Sequence, residues 1–562
     1  MKKTGAEIVI ESLKLQGVDI IFGYPGGQIM PIYDALYSSG IKHILPRHEQ
    51  GACHAADGYA RVTGKPGVIF ATSGPGATNL VTGLATAHMD SVPIVAITGQ
   101  VPTGAIGTDA FQEADIYGIT IPVTKYNYLV KDASKLVETI AEAFYIATIG
   151  RPGPVLIDIP KDVQLKVVEY LPETEIPLLK YTPEPRYSYD AELEHLVHLL
   201  CQAQRPVLYI GGGAVISGAS EQIAQFARKT SIPVTHTLTA CGVFPDNDPL
   251  ALGMPGMHGT RYANEAIHRA DLLIAAGARF DDRVTGKVSE FAKNATIVHI
   301  DIDPAEIRKV IATHLSIVGD LKGVLSSLLN KLEQIEVCSH EPWLQQIQEW
   351  KVRYPLMYKH SETSIKPQYV IEQVSDLTKG EAIITTGVGQ HQMWTALFYE
   401  FHHPRSFVSS GGLGTMGFGF PSGIGAKLGR PDRTVVTITG DGSFQMNIQE
   451  LATASYYNVP VKVIILNNGF LGMVRQWQEL FFERRYSETH LENGNPDFVT
   501  VAKGYGVQGF RIDRPEEVRP TLEKALAIDG PVIIDCHTEK EENVLPMIPP
   551  GGTVHDTISA SL

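Results

Sequence analysis

The chain has 562 residues, 44% hydrophobic and 19% charged, with a formal net charge of −14. That length exceeds one core and predicts roughly two to four domains, while the acidic balance argues against a nucleic-acid partner, which a basic face would attract. No apolar run reaches a membrane span, and the five scattered cysteines lack a C-x-x-C pair, which fits a reducing cytoplasm and supplies neither disulfide frame nor zinc site.

In chain order, the start MKKTGAEIVIESL reads directly into an amphipathic helix rather than a signal sequence. GYPGG sets Gly26 and Gly27 beyond a first predicted strand, and His43 to Arg47 (HILPR) leads out of a second. Glu49 then opens a helix rich in Ala and Gly, which can pack closely. A glutamate at a helix start often serves only the macrodipole, worth about 0.3–1 kcal/mol. Here Gly26, Gly74 to Gly76 in SGPG, and Phe111-Gln112 in DAFQE also follow predicted strands, so they share one sheet edge with Glu49. A carboxyl group among apolar groups at such an edge is suited to trading a proton near neutrality.

Residues 169–192 carry four prolines and read as an interdomain linker. In the central stretch, a strand over 207–210 ends in Gly211, Gly212 and Gly213, one over 272–276 runs into GARFDDRVTGK, and one over 297–302 carries Asp301. The pattern is Rossmann-like, but Ile216 stands at the third glycine of G-x-G-x-x-G, so the nicotinamide fingerprint is broken. Arg279, Asp282 and Arg283 fit a solvated loop or an anion site equally well. A second boundary falls within 340–369. The fold class is α/β, with three domains spanning 1–180, 190–345 and 365–562, each a largely parallel sheet flanked by helices.

In the last domain, TVVTIT predicts a buried strand ending at Gly440, and VKVIIL predicts another over 461–466. Between them, 447–457 has helical spacing, with Ile448, Leu451, Ala452 and Ser455 on one face. Strand, helix, strand makes the two strands parallel, so Asp441 and Asn468 arrive together at the edge where open sheets bind ligands. Magnesium takes few protein oxygens and keeps phosphates in its shell, and Gly440 and Gly442 leave a phosphate room. Separate Asp-Gly and Asn-Asn turns are the bland reading; meeting at one edge, they favour a metal–diphosphate site. Residues 68–99 repeat the plan of 435–467 (strand, Gly-x-Gly turn, LATA helix, Val-Pro break, strand), as an old duplication would. The first copy has Pro75 in place of Asp441 and Thr98-Gly99 in place of Asn467-Asn468, so only one copy can hold the cation.

GDG followed about thirty residues later by NN resembles the cofactor motif of thiamine-diphosphate-dependent enzymes. RHEQGACHAADGYAR, GTDAFQEADI, ARFDDRVTGK, GGLGTMGFG and MVRQWQELFF extend the resemblance over essentially the whole chain, to the catalytic subunits of the acetohydroxyacid synthase (biosynthetic acetolactate synthase) family. The resemblance implies two related thiamine-diphosphate domains around a central FAD domain: the first binds the pyrimidine, the last the diphosphate and Mg²⁺. Asp441, Asn468 and the Phe470 carbonyl would hold the metal. Gly389, Gln390, His391, Gly414, Gly440, Gly442, Ser443 and Asn468 would surround thiamine diphosphate, with Met416 wedged beneath it. Glu49 would hydrogen-bond the aminopyrimidine of a cofactor carried by a second chain. Gly26, Gln112 and Lys161 would line the reacting centre, Arg283 would pair with the second substrate's carboxylate, and Phe111, Val388, Met473 and Trp477 would set substrate preference. Arg151, Gly211, Gly212, Gly213, His258, Gly277, Arg279, Asp301 and Asp320 match the FAD contacts.

The implied reaction decarboxylates pyruvate and joins the two-carbon unit to a second pyruvate, giving acetolactate, or to 2-ketobutyrate, giving acetohydroxybutyrate. This is the first common step of branched-chain amino-acid biosynthesis. The implied assembly is a cytoplasmic homodimer or tetramer with active sites at the dimer interface and a small regulatory subunit. A 2-keto acid decarboxylase or a pyruvate oxidase would share the fold, the metal site and Glu49, catabolic acetolactate synthase would share the fold, and glyoxylate carboligase would lack the glutamate. The decarboxylases and oxidases should lack the combination of Gln112, Arg283 and Trp477; catabolic synthases typically depart in FDDRVTGK and at Trp477. A dehydrogenase is disfavoured by the broken glycine fingerprint, and a non-catalytic binding module leaves the proton-transfer geometry unexplained.

Overall fold

Short runs of Val, Ile and Leu without alternation become strands buried on both faces, which is the mark of parallel sheets covered by helices. The computed structural model describes residues 1–170, 189–333, 335 and 339–559; most of the proline-rich linker stretch lies outside the described residues. The first sheet contains Ile20–Gly23, Lys42–Ile44, Gly67–Ala71, Ile94–Gln100, Tyr126–Leu129 and Val155–Pro160. Counted along the chain, they lie in the order second, first, third, fourth, sixth, fifth, all parallel.

Ile383–Thr386, Phe407–Val408, Val435–Gly440, Val461–Asn467, Gln508–Ile512 and Val532–His537 form another six-stranded parallel sheet with the identical order. The repeat read in two short stretches therefore extends to whole sheets. Even a detail recurs: the fourth strand of each donates a hydrogen bond to a buried aspartate on the sixth. Thr98 Oγ1 reaches Asp158 Oδ1 at 2.7 Å, and Asn467 Nδ2 reaches Asp535 Oδ1 at 3.0 Å.

Between them in sequence lies a five-stranded parallel sheet of Pro206–Ile210, Val234–His236, Leu272–Ala276, Thr296–Asp301 and Leu315–Val318, ordered second, first, third, fourth, fifth. Helix Glu341–Arg353 lays Trp343, Ile347 and Trp350 against this sheet's core. At the start of the chain, Lys2–Thr4 pairs antiparallel with Val167–Glu169, and Thr4 caps helix Gly5–Leu15 in a capping box with Glu7. Among the described residues, no helix is long and apolar enough to cross a membrane.

The two six-stranded sheets meet through their small-residue helices, Glu49–Thr63 and Gly419–Gly429. A Cβ added at Gly425 would lie 1.7 Å from the Ala55 carbonyl oxygen, and one at Gly58 would lie 2.1 Å from that of Ser422. The Ala- and Gly-rich composition after Glu49 thus does what it predicts, bringing backbone against backbone.

The stretch 447–457 departs from expectation. It follows a short helix, Asp441–Gln445, and starts as a 3-10 turn, Ile448–Glu450, before the helix Leu451–Tyr456. Its buried residues are Asn447, Glu450, Leu451, Thr453 and Ala454, a face offset by about one residue from the one predicted by hydrophobicity. Glu450 explains the offset: its carboxylate accepts the Arg47 N–H at 3.0 Å and the Thr453 hydroxyl at 2.6 Å, so a charged residue turns inward.

Candidate active site

Parallel strands bring their carboxyl ends to one edge, and in the first sheet that edge carries Glu49. The chain leaves Lys42–Ile44, and His48 caps the following helix by accepting the Gln50 N–H on Nδ1 at 3.1 Å. Glu49 is therefore the first helical residue. It is buried, and Asn79 Nδ2 donates to its Oε2 at 2.9 Å. Asn79 lies just past the SGPG turn; a Cβ at Gly76 would sit 3.2 Å from Glu49 Oε1, so the glycine leaves the carboxylate open on that side. Gly26 packs on Thr72 of the same edge, where a Cβ would meet that side chain at 2.5 Å. Gln112 adopts a φ of 59° with its backbone against Gly74, and neighbouring Phe111 is 84% exposed. Lys161 follows Val155–Pro160, whose Pro160 pairs with Gln100, so it too stands at this edge.

The third sheet presents the cation candidates. Gly440 pairs with Leu466, so Asp441 and Asn468 follow the ends of adjacent strands, as the motif predicts. Asp441 is buried, and burial pushes its carboxyl up to about 6. Asn495 Nδ2 steadies its Oδ2 at 2.6 Å. Asn468 Oδ1 accepts the Phe470 N–H at 3.1 Å, and its Nδ2 donates to Gln390 Oε1 at 3.3 Å. Among the described residues, no group of three or more His, Cys, Asp and Glu side chains gathers as a metal cluster. One carboxylate, one amide and a backbone carbonyl instead suit a hard cation that takes its remaining oxygens from phosphate.

Gly389 precedes helix Gln390–Phe398, so Gln390 and His391 occupy its first turn, where unpaired N–H groups favour an anion. His391 is buried with Nε2 unpartnered, and burial lowers its pKa to about 3, leaving it neutral. A Cβ at Gly440 would crowd His391 Nδ1 at 3.0 Å, which makes this glycine part of the cradle. Ser443 Oγ accepts the Gly417 N–H at 3.0 Å, just beyond Met416, whose Cε lies 3.8 Å from the position of a Cβ on Gly442. An orphaned imidazole nitrogen, a buried carboxylate and glycines without room for side chains together fit a magnesium diphosphate.

A cavity of about 730 Å³ opens between the central sheet and the other two domains, with Met89–Ser91 and Gly150–Pro152 contributed by the first. Every residue matched to flavin lines it: Arg151, Gly211, Gly212, Gly213, His258, Gly277, Arg279, Asp301 and Asp320. Buried Tyr209 Oη and His258 Nδ1 lack partners there, and burial with nearby Arg283 lowers the His258 pKa to about 4. Polar atoms awaiting donors or acceptors in a glycine-walled cavity fit a large polar cofactor such as FAD. Asp320 also caps helix Leu321–Leu332 through the Gly323 N–H at 3.0 Å, and Arg279 pairs with Asp281 at 2.5 Å. Val388, Gly414, Met473, Trp477 and Arg283 share the same walls. Met473 and Trp477 stand four apart on helix Gly472–Phe481 and both line this cavity, Met473 also packing against the core of the last domain. None of Gly26, Glu49, Phe111, Gln112 and Lys161 lines it.

Sequence reasoning missed Asn79 and Asn495. Asn79 was findable, three residues beyond Gly76; Asn495 stands in an aperiodic loop and carried no signal.

Three family models of thiamine pyrophosphate enzymes match the chain: the N-terminal TPP binding domain over residues 3–119, the central domain over 193–328 and the C-terminal TPP binding domain over 387–536. Fold and site together define a thiamine pyrophosphate enzyme. Among curated relatives, the acetolactate synthase large subunit of Parasynechococcus marenigrum is 52% identical over 98% of this chain and 90% of its own length. That of Corynebacterium glutamicum is 50% identical over 99% and 90%, and the chloroplastic acetolactate synthase 2 of Nicotiana tabacum is 49% identical over 99% and 85%. The chain belongs to the acetolactate synthase large-subunit family.

Proposed function

We propose that the chain is the catalytic subunit of an acetohydroxyacid synthase, which decarboxylates pyruvate and joins the two-carbon unit to a second pyruvate or to 2-ketobutyrate. The observation that carries this reading is the division of labour between two sheets of identical order: one edge bears Asp441 and Asn468, the other Glu49 with Asn79. Thiamine diphosphate, when bound, supplies the electron sink for carbon dioxide loss and the handle for the two-carbon unit. Asp441, Asn468 and the Phe470 carbonyl hold Mg²⁺, while Gln390, His391, Gly440, Gly442 and Ser443 cradle the diphosphate. Glu49 holds a proton at the aminopyrimidine. Gly26, Gln112 and Lys161 surround the reacting carbons, with the Gly26 N–H available to a developing oxyanion. Arg283 offers a guanidinium fork to the second keto acid, and Val388, Met473, Trp477 and Phe111 shape its pocket.

The Glu49 group does not line this chain's own large cavity. Asp441, Asn468, Gln390 and His391 do not line it either; it is the family resemblance from which the reading assigns Glu49 to the cofactor of a second copy, in a dimer or tetramer, and exposed Phe111 suits a face that the partner covers. FAD occupies the central cavity without net redox change. The relatives named as large subunits support a small regulatory partner, and the reading places the enzyme in the cytoplasm. Domain boundaries are taken near 180–190 and 345–365.

The test supplies pyruvate and 2-ketobutyrate together with thiamine diphosphate, Mg²⁺ and FAD. Acetolactate and acetohydroxybutyrate are expected. Acetaldehyde or acetyl phosphate alone would move the enzyme to a decarboxylase or oxidase.

A further inference from the structure

Gly411–Gly414 form part of the wall of the large cavity and the segment runs on to Met416, yet it has no regular structure of its own. What holds it comes from the first sheet's side of the molecule. Helix Val81–Asp90 ends in Asp90, and a carboxylate at a helix C-terminus is unfavourable to that helix, by about 0.3–1 kcal/mol. Its environment explains its presence. Asp90 Oδ2 accepts the Gly411 N–H at 2.9 Å, and Oδ1 accepts the Gly412 N–H at 2.7 Å. The carboxylate is nearly inaccessible, 3% exposed, and Arg61 Nη2 neutralises it at 2.9 Å.

Arg61 is itself fixed at two further points: Asp57, one helical turn earlier, at 2.5 Å, and the Ser409 carbonyl at 3.0 Å. One turn before Asp90, the Thr86 hydroxyl pairs with that of Thr415 at 2.7 Å. The segment is thus gripped from one helix at both ends. Both glycines are required by the fit, since a Cβ on Gly411 would meet Thr239 at 2.7 Å and one on Gly412 would meet Asp90 Oδ1 at 2.9 Å.

We propose that Asp90, paired with Arg61, is a positioning residue for the proposed reaction: its two oxygens set the Gly411–Gly414 wall and thereby the placement of Met416 and the shape of the cavity. Arg61 lies on the helix that Glu49 begins, so the same cluster ties the wall to the frame of the proton-transferring carboxylate. The proposal rests on the functional reading above, but its first measurement does not require turnover.

Hydrogen exchange of peptides spanning 409–417 is compared in the full chain, its Asp90→Ala and Asp90→Asn variants, and Thr86→Val. In Asp90→Ala, the Gly411 and Gly412 amides should exchange about tenfold faster or more, the size expected from losing a hydrogen bond to a charged group. Peptides from 49–63 and 81–90 should keep their protection, and the chain should still melt in one transition, at a lower midpoint because buried Arg61 keeps only Asp57 as a carboxylate partner. Asp90→Asn, which retains one acceptor, should recover part of the protection. In turnover, Asp90→Ala should lose kcat at least as strongly as it raises KM for pyruvate, with Asn again intermediate. Unchanged exchange over 409–417, or loss of protection spread equally over all three regions, would overturn the proposal. A wild-type chain that forms no acetohydroxyacid would sink the functional reading while leaving the exchange result to be read on its own.

Discussion

Three side chains near the proposed site, Glu49 and His54 buried and Trp477 half-buried, differ in what their surroundings demand. Glu49 keeps one oxygen on Asn79 and the other beside Gly76, and the proposed function gives it the proton at the cofactor. Glu49→Gln should lower turnover by about 100-fold or more, the scale of general acid–base catalysis, while FAD binding followed by flavin absorbance is retained. Trp477 sits in the cavity wall with its ring 5.7 Å from that of Phe481. Trp477→Leu should erode the preference for 2-ketobutyrate over pyruvate by roughly tenfold, because one methylene is worth about 1–3 kcal/mol; the product ratio under competition measures it. His54 is fully buried, stacked edge-on to Phe418, and burial lowers its pKa to about 3. Its folded value lies below the unfolded one of about 6.5, so its contribution is full above that pH and is lost as pH falls toward 3. Between pH 6.5 and 5 this amounts to about 2 kcal/mol. The drop in urea midpoint over that range should be smaller in His54→Asn. Of these residues, Glu49 and Trp477 stood out by motif, while His54 was invisible because nothing local marks a histidine as buried.

Elements were legible where periodicity was unopposed. The strands 435–440 and 461–467 came out within a residue of their apolar runs, since a buried parallel strand needs little besides such a run. The helix between them shifted its buried face by one residue because Glu450 serves the backbone ahead of Glu49, 403 residues away, a contact no local pattern contains. Helix Glu49–Thr63 shows the opposite case, with composition alone announcing close packing. Gly425→Ala on its partner helix should destabilise the protein by about 1–3 kcal/mol or more, as backbone oxygen cannot move aside like a rotamer. Gly504→Ala is the control: nothing lies within 4 Å of its added Cβ, and the helical position should gain about 0.5–1 kcal/mol. Thermal denaturation of the two variants decides both.

For the whole molecule, the proposed function makes assembly part of the chemistry, with Glu49 of one copy serving the cofactor held by the other. Coexpressed chains bearing Glu49→Gln and Asp441→Ala should recover about one quarter of wild-type activity, because half the dimers are mixed and each mixed dimer has one intact site. Recovery no greater than that of the separate variants would show that Glu49 acts within its own chain. By itself the sequence determined the α/β class, the duplicated platform, the meeting of Asp441 and Asn468 at one edge and the family, because strand periodicity, turn chemistry and short spacings are local and survive in one dimension. Tertiary structure alone decided which buried charges serve which backbone: Glu450 on Arg47, and Asp90 on Gly411 across 321 residues. Those pairings arise only when separately folded sheets dock, and docking places side chains by shape and charge over distances that no sequence window spans.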